Sequence, residues 1–328
     1  MVFGTDNCIK MQFPLPKTAA QHQRQMQEHG EKAMGSNCSF RYRVVDVFTD
    51  QPLAGNALAV FPDASGIDDA TMQKIAKELN LSETSFVVPA TRADCAAGVR
   101  IFTPEKEMAF AGHPTIGTSF VLLDEGIIPA DREHFVLEEK VGPVPIRVDT
   151  GPCPLIWLRT PPITEGRTFD RTICAQALGI DSSDVLDINP QLVSAGNPTL
   201  FIALQDRDAV DRAWLDSHGS FVLKGEYHEP MCVFVFTPTS YGAYSRMFAP
   251  EYGIVEDPAT GSSTGPLAAF MIRHCLISGA AGTRFISEQG TKMGRRSILH
   301  VHIPGDRGQD GIYVGGNVVP VAEASMRL

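Results

Sequence analysis

A chain of 328 residues is long enough for two domains with cores of their own. Its 43% apolar and 20% charged residues are those of an ordinary globular protein, and a net charge of −10 speaks against nucleic-acid binding, which needs a positive face. No run reaches the ~18 uninterrupted apolar residues of a membrane span, and the seven cysteines are scattered with no C-x-x-C pair, which fits free thiols in a reducing, cytoplasmic setting and no zinc site.

Residues 1–38 are polar and rich in Gln, His and Lys, and are expected to form a disordered or loosely attached N-terminal extension. Regular structure becomes readable at residues 40–48, where alternation and Val content predict a strand. A turn cluster at 50–56 leads into a second strand at 57–61. Asp68-Asp69 opens a helix whose Met72, Ile75, Ala76 and Leu79 share one face. Short strands are expected at 84–88 and 98–103. The helix after Gly112-His113-Pro114 carries Ile116, Phe120, Val121, Leu122 and Leu123 around most of its circumference, so it is expected to be buried on all sides. The best domain boundary lies at 143–154, rich in Pro and Gly. Beyond it, strands are expected at 155–158, 232–236, 243–248, 284–287 and 298–303, and outer helices at 171–178 and 209–216. A second helix without a polar face covers 266–272. Residues 315–321 predict a terminal strand that crosses back to the first domain.

One pattern occurs twice. Phe102-Thr103-Pro104-Glu105 leads to Ala111-Gly112-His113-Pro114-Thr115 and an apolar helix; Phe248-Ala249-Pro250-Glu251 leads to Asp257-Pro258-Ala259-Thr260-Gly261-Ser262 and another. Upstream, Gly55-Asn56 and Gly196-Asn197 each head a strand. The repeat implies two similar domains whose matched loops face one cleft. In each, the simplest packing curls a sheet around the buried helix. The expected fold is therefore α+β: residues 39–150, completed by 312–328, form the first barrel-like domain, and residues 151–311 the second.

Both loops feed a buried helix start, whose free N–H groups and positive dipole end favour an anion. Gly112 and Gly261 allow close backbone approach, and Thr115, Thr260, Ser262 and Ser263 add hydroxyl donors. The plain alternative is that these residues only cap their helices. Each loop carries one titratable group, His113 in one and Asp257 in the other, suited to proton transfer and orientation. A helix start favours the neutral form of a histidine. Glu83, in Leu81-Ser82-Glu83-Thr84-Ser85-Phe86, lies outside the repeated loops at a helix-to-strand hinge that can point into a cleft; taken alone, a glutamate there reads as a solvated surface residue. His300 and His302 share one face of a strand but have no third ligand nearby, so no metal site is expected. Neither a phosphate-binding loop nor a dinucleotide fingerprint is present.

Pro52-Leu53-Ala54-Gly55-Asn56-Ala57, the segment around Glu83, Phe110-Ala111-Gly112-His113-Pro114-Thr115-Ile116-Gly117, Glu256-Asp257-Pro258-Ala259-Thr260-Gly261-Ser262, and Glu288-Gln289-Gly290 with Met293-Gly294-Arg295 together resemble the PhzF-like family of phenazine-biosynthesis isomerases over residues 40–321. The resemblance implies a diaminopimelate-epimerase-like fold with two similar barrel-and-helix domains, and a homodimer. It also implies an isomerase that works without metal or organic cofactor, as the namesake does on trans-2,3-dihydro-3-hydroxyanthranilate. Glu83, His113 and Asp257 fall on catalytic positions, and Ser262 with the backbone at Gly112 and Gly261 on binding positions for a small carboxylate substrate; Asn56, Thr115 and Thr260 are further candidates to bind it. Arg100, Arg147 and Arg246 are each candidates to pair with that carboxylate. Two other readings share the fold. An amino-acid racemase would need a cysteine at each helix start, and neither loop has one. A non-catalytic ligand-binding or regulatory protein would keep the cleft without turnover.

Overall fold

The computed structural model describes residues 39–151, 154–308 and 311–328, and the expectation for residues 1–38 lies outside the described residues. Eighteen strands hydrogen-bond into one large sheet, with six α-helices among the described residues. The first are β1 (Ser39–Val47), β2 (Asn56–Phe61), β3 (Glu83–Val88), β4 (Ala97–Phe102), β5 (Glu107–Met108), β6 (His134–Glu139), β7 (Gly142–Asp149) and β8 (Leu155–Arg159). There follow β9 (Thr164–Thr168), β10 (Gln191–Ser194), β11 (Pro198–Ala203), β12 (Cys232–Thr239), β13 (Gly242–Ala249), β14 (Ile254–Asp257), β15 (Thr283–Gln289), β16 (Ser297–Ile303), β17 (Tyr313–Gly316) and β18 (Val318–Arg327). The helices are α1 (Asp69–Leu79), α2 (Gly112–Asp124), α3 (Arg171–Leu178), α4 (Arg207–Arg212), α5 (Ser217–Glu226) and α6 (Gly261–Arg273).

The pairing repeats itself. From β18 the neighbours run β1, β2, β3, β4, β6, β7, β8, with β2–β3 and β4–β6 parallel and the rest antiparallel. From β9 they run β10, β11, β12, β13, β15, β16, β17, with β11–β12 and β13–β15 parallel. The two runs join antiparallel at β8–β17. The terminal strand β18 does cross back, pairing with β1 along its length.

Helix α2 packs against β1, β2, β3 and β8, and α6 against β10, β11, β16 and β17. The expected all-round burial is present: ten of the 13 residues of α2 are buried, including Ile116, Val121 and Leu122. Each such side chain contributes ~1.5–3 kcal/mol when fully removed from water. By contrast α1 is amphipathic, capped by Asp68 (Thr71 N to Oδ1, 3.0 Å), and buries only Met72, Ile75 and Ala76.

One sequence expectation needs correction. Of the helix expected at 209–216 only 209–212 are helical, as the end of α4; residues 213–216 connect it to α5, and Asp206 and Asp216 are the two N-caps, accepting from Ala209 N at 2.8 Å and Gly219 N at 2.7 Å. Within the boundary region expected at 143–154, residues 143–149 lie in strand β7. Pro143 and Pro145 are tolerated there because β8 pairs only with Ile146–Asp149, leaving the proline end of β7 with β6 as its sole strand neighbour.

Candidate active site

The motif loops converge where α2 and α6 begin. A Cβ on Gly112 would lie 2.6 Å from the Gly261 carbonyl carbon and the Ser262 nitrogen, so only glycine lets the two helix starts touch. Neither preceding residue, Ala111 or Thr260, gives a side-chain cap. The side chains at these N-cap positions therefore leave the helix starts uncapped, and two positive helix ends meet.

The sequence candidates gather around that junction. Asn56, at the start of β2, donates from Nδ2 to Asp257 Oδ1 at 2.7 Å and to the Ala259 carbonyl at 3.0 Å. Thr260 Oγ1 donates to Asp257 Oδ2 at 2.5 Å. Glu83 Oε2 stands 3.5 Å from His113 Nε2, and both atoms are buried without a hydrogen-bond partner. Burial, then the charge of Asp257, holds the Glu83 carboxyl well above the usual carboxylate range. Burial also raises Asp257, against the opposing hydrogen bonds from Thr260 and Asn56. It drives His113 down to about 3, so the ring is neutral. Asn56 Nδ2 also lies 3.3 Å from His113 Nδ1, so the neutral ring meets Asn56 on its Nδ1 side and Glu83 on its Nε2 side.

The later motif supports this floor. Gln289 Nε2 donates to the Asp257 carbonyl at 2.7 Å and to Thr260 Oγ1 at 2.9 Å, while its Oε1 accepts from Thr260 N at 3.1 Å. Gly290 follows at φ 74°, where a Cβ would lie 2.6 Å from the Pro258 carbonyl. Arg295 reaches Asp46 at 2.6 Å and the carbonyls of Ala54 and Gly55 at 2.8 Å, pinning the turn that presents Asn56.

Residues 45–324 match the family described as phenazine biosynthesis-like protein. This chain belongs to that family. It is 33% identical to the trans-2,3-dihydro-3-hydroxyanthranilate isomerase of Pseudomonas aeruginosa, over 88% of this chain and 99% of that one. The crystal structure of a Bacillus anthracis phenazine biosynthesis protein of the PhzF family superposes with a TM-score of 0.80 at 24% identity, covering 89% of this chain and 100% of the other. A hydroxyproline epimerase from Agrobacterium vitis shares the fold, with a TM-score of 0.64 at 14% identity over 88% of this chain and 93% of that one.

In this phenazine biosynthesis-like protein the three candidate arginines are engaged elsewhere. Arg100 pairs with Glu107 and Asp69, Arg147 with Asp149, and Arg246 with Glu256 and three main-chain carbonyls. The Thr115 hydroxyl is taken up by the Ala111 carbonyl and Glu139, and Ser263 by Thr199 at 2.9 Å. Ser262 is half-buried, its hydroxyl without a partner among the described residues.

Glu83 is not outside the repeat. In β2–β3 it pairs with Leu58, two residues after Asn56; in β11–β12 Cys232 pairs with Thr199, two residues after Asn197. Cys232 thus holds the matching place, buried, its thiol pushed up to about 12 by burial and the charges of Asp257 and Glu83. The asparagines match too: Asn197 Nδ2 donates to the Phe110 carbonyl at 3.3 Å, as Asn56 does to Ala259. Asn197 was visible only as a strand-heading residue, and Glu139 gave no signal in the sequence.

Among the described residues no helix is long and apolar enough to cross a membrane, and no three His, Cys, Asp or Glu side chains are grouped to hold a metal ion.

Proposed function

We propose that this protein is a cofactor-independent isomerase that moves a proton within a small unsaturated or cyclic carboxylic acid, as the name of its relative in Pseudomonas aeruginosa describes for trans-2,3-dihydro-3-hydroxyanthranilate. The observation that carries this reading is the Glu83–His113 pair, two orphaned buried polar atoms 3.5 Å apart beside a junction of two uncapped helix starts. The ionised Glu83 carboxylate takes a proton from a C–H next to the conjugated system. The electron pair shifts along the double bonds, and the same carboxyl returns the proton at a carbon further along. Burial supplies the high proton affinity such a shuttle needs. His113 orients that carboxyl through Nε2, and Asp257, fixed by Asn56 and Thr260, holds a polar group of the substrate. The helix starts at Gly112 and Gly261, with Ser262, receive the substrate carboxylate.

The same reading takes the repeated pairing as two similar domains, residues 39–150 with 312–328 and residues 151–311, each a barrel around its helix, α2 or α6. In it the protein works as a cytoplasmic homodimer; sedimentation at micromolar concentration reads the dimer directly. A racemase of the two-thiol kind has no thiol at either helix start, where Gly112-His113 and Gly261-Ser262 stand.

Turnover is tested by incubating the protein in heavy water with trans-2,3-dihydro-3-hydroxyanthranilate and a panel of unsaturated acids. Deuterium entering a carbon position, abolished in Glu83→Gln, is the expected result. Tight binding of these acids with no exchange into any of them would make the protein a non-catalytic binder.

A further inference from the structure

The repeated pairing matches residues of the two halves one to one, and it can be followed to the end of β6. Glu83 is followed by Thr84, opposite Phe102; Cys232 is followed by Val233, opposite Phe248. Counting back from these two matched phenylalanines, Gly98 corresponds to Tyr244. Their parallel neighbours are Glu138 and Glu288. The next and last residue of each strand is then Glu139 in one half and Gln289 in the other.

Gln289 uses its amide in both senses, as donor to Thr260 Oγ1 and the Asp257 carbonyl and as acceptor from Thr260 N. Glu139 stands beside the other helix start. Its Oε1 is 2.5 Å from Thr115 Oγ1, and that oxygen is also 2.7 Å from the Ala111 carbonyl. A hydroxyl has one hydrogen, and a carbonyl only accepts. With Thr115 donating to Ala111, the hydrogen in the Glu139 contact comes from the carboxyl.

The surroundings agree. Glu139 is 5% exposed, and its Oε2 has no partner. On its own strand Glu138 is bound by Thr91 and Arg92, and the following Lys140 pairs with Glu107. Its neighbour across β7 is Gly142, and Arg147 of that strand pairs with Asp149. The first turn of α2 offers no charged residue, only the neutral His113. An ionised carboxylate here would be buried with no cation.

We infer that Glu139 is a neutral carboxylic acid at neutral pH, the counterpart of the Gln289 amide, and that it is a positioning residue: it donates to Thr115 and so holds the first turn of α2 and His113 at the cleft. Burial pushes this carboxyl up to about 8, the Thr115 contact opposing. The catalytic consequence rests on the proposed role of His113; the location of the proton does not.

The test uses Glu139→Gln and Glu139→Ala in the full chain. Infrared spectra at pH 7 are expected to show a protonated-carboxyl band that Glu139→Gln removes, with Glu83→Gln and Asp257→Asn identifying the other acids. Because the folded carboxyl binds its proton more tightly than the usual 4.5, its stabilising effect is complete below that value and is lost as pH rises to about 8. Melting temperature should therefore fall from pH 5 to 9 more steeply in the native protein than in Glu139→Gln. In turnover, Glu139→Ala should lose ~10-fold or more in kcat and Glu139→Gln recover most of it, with the loss of activity above pH 8 gone. No band lost in Glu139→Gln together with parallel melting curves overturns the assignment. A band lost as expected in a protein that exchanges no deuterium upholds the proton on Glu139 and overturns the isomerase reading instead.

Discussion

Glu83 and His113 face each other through two buried atoms, Oε2 and Nε2, 3.5 Å apart, that have no hydrogen-bond partner among the described residues. Burial pushes the first toward holding a proton and the second toward losing one, so the resting pair is a neutral acid beside a neutral ring rather than an ion pair. A structural salt bridge would show the opposite shifts.

Glu83→Gln keeps the shape and removes the proton shuttle. On whichever acid shows deuterium exchange with the native protein, turnover should fall by ~100-fold or more, with binding of an unreactive carboxylate analogue retained by calorimetry. Because the base form is ionised Glu83, kcat/KM of the native enzyme should rise with pH along a limb displaced above the usual carboxylate range. A Glu83→Gln variant of near-native rate would remove Glu83 from the mechanism.

His113 makes a prediction about stability. Its folded proton affinity is depressed from 6.5 to about 3, so the unfolded chain binds the extra proton between these values. Stability from this residue is complete above pH 6.5 and is lost as pH falls toward 3. His113→Asn cannot take up that proton, so its melting temperature should decline less than that of the native protein between pH 6.5 and 4. Parallel melting curves over that range would show that the ring is not held neutral by burial.

The arrangement of the fold was readable wherever local pattern and tertiary environment agree. The stretches without a charged face after Gly112 and Gly261 announced buried helices, and the doubled Phe-x-Pro-Glu motif announced the doubled pairing. What escaped the sequence depends on partners far along the chain. That Pro143 and Pro145 lie in a strand was not legible, because no local signal says that β7 has an open edge there. Glu139 went unnoticed because its burial beside Thr115 and the start of α2 leaves no local mark in the sequence. Glu83 was placed outside the repeat because its counterpart is Cys232, a match that only strand register exposes. Of the site residues, His113 and Asp257 stood out as the titratable groups of the repeated loops, whereas Glu83 came from motif resemblance, since spacing alone offered no reason to prefer it over other glutamates.

Asn56 spends both amide hydrogens across the junction, on Asp257 and the Ala259 carbonyl. Asn56→Ala would leave both acceptors buried without that donor, at ~1–3 kcal/mol for each orphaned group. The expected result in urea is a lower unfolding midpoint with an unchanged slope, accompanied by weaker turnover as Asp257 loses its fixed orientation. Because Asn56 is 1% exposed, solvent offers no replacement partner. A variant with native midpoint and native kcat would mean that the junction does not depend on this contact.

Gly112 sets how closely the two helix starts approach. In Gly112→Ala the new methyl meets the backbone of Gly261 and Ser262 at 2.6 Å, and backbone cannot swing aside as a side-chain end can. Either α2 or α6 must retreat, at ~1–3 kcal/mol in stability, and with it His113 or Ser262 leaves its place. Gly225, in α5, is the matched control: a Cβ there meets nothing within 4 Å, and the residue is helical. Gly225→Ala should therefore stabilise slightly, by ~0.4–1 kcal/mol, through the unfolded chain. The two substitutions add the same single methyl, so a thermal melt of each separates close approach of the helices from the general effect of replacing glycine. Equal shifts in the same direction would show that the contact between the helix starts carries no structural weight.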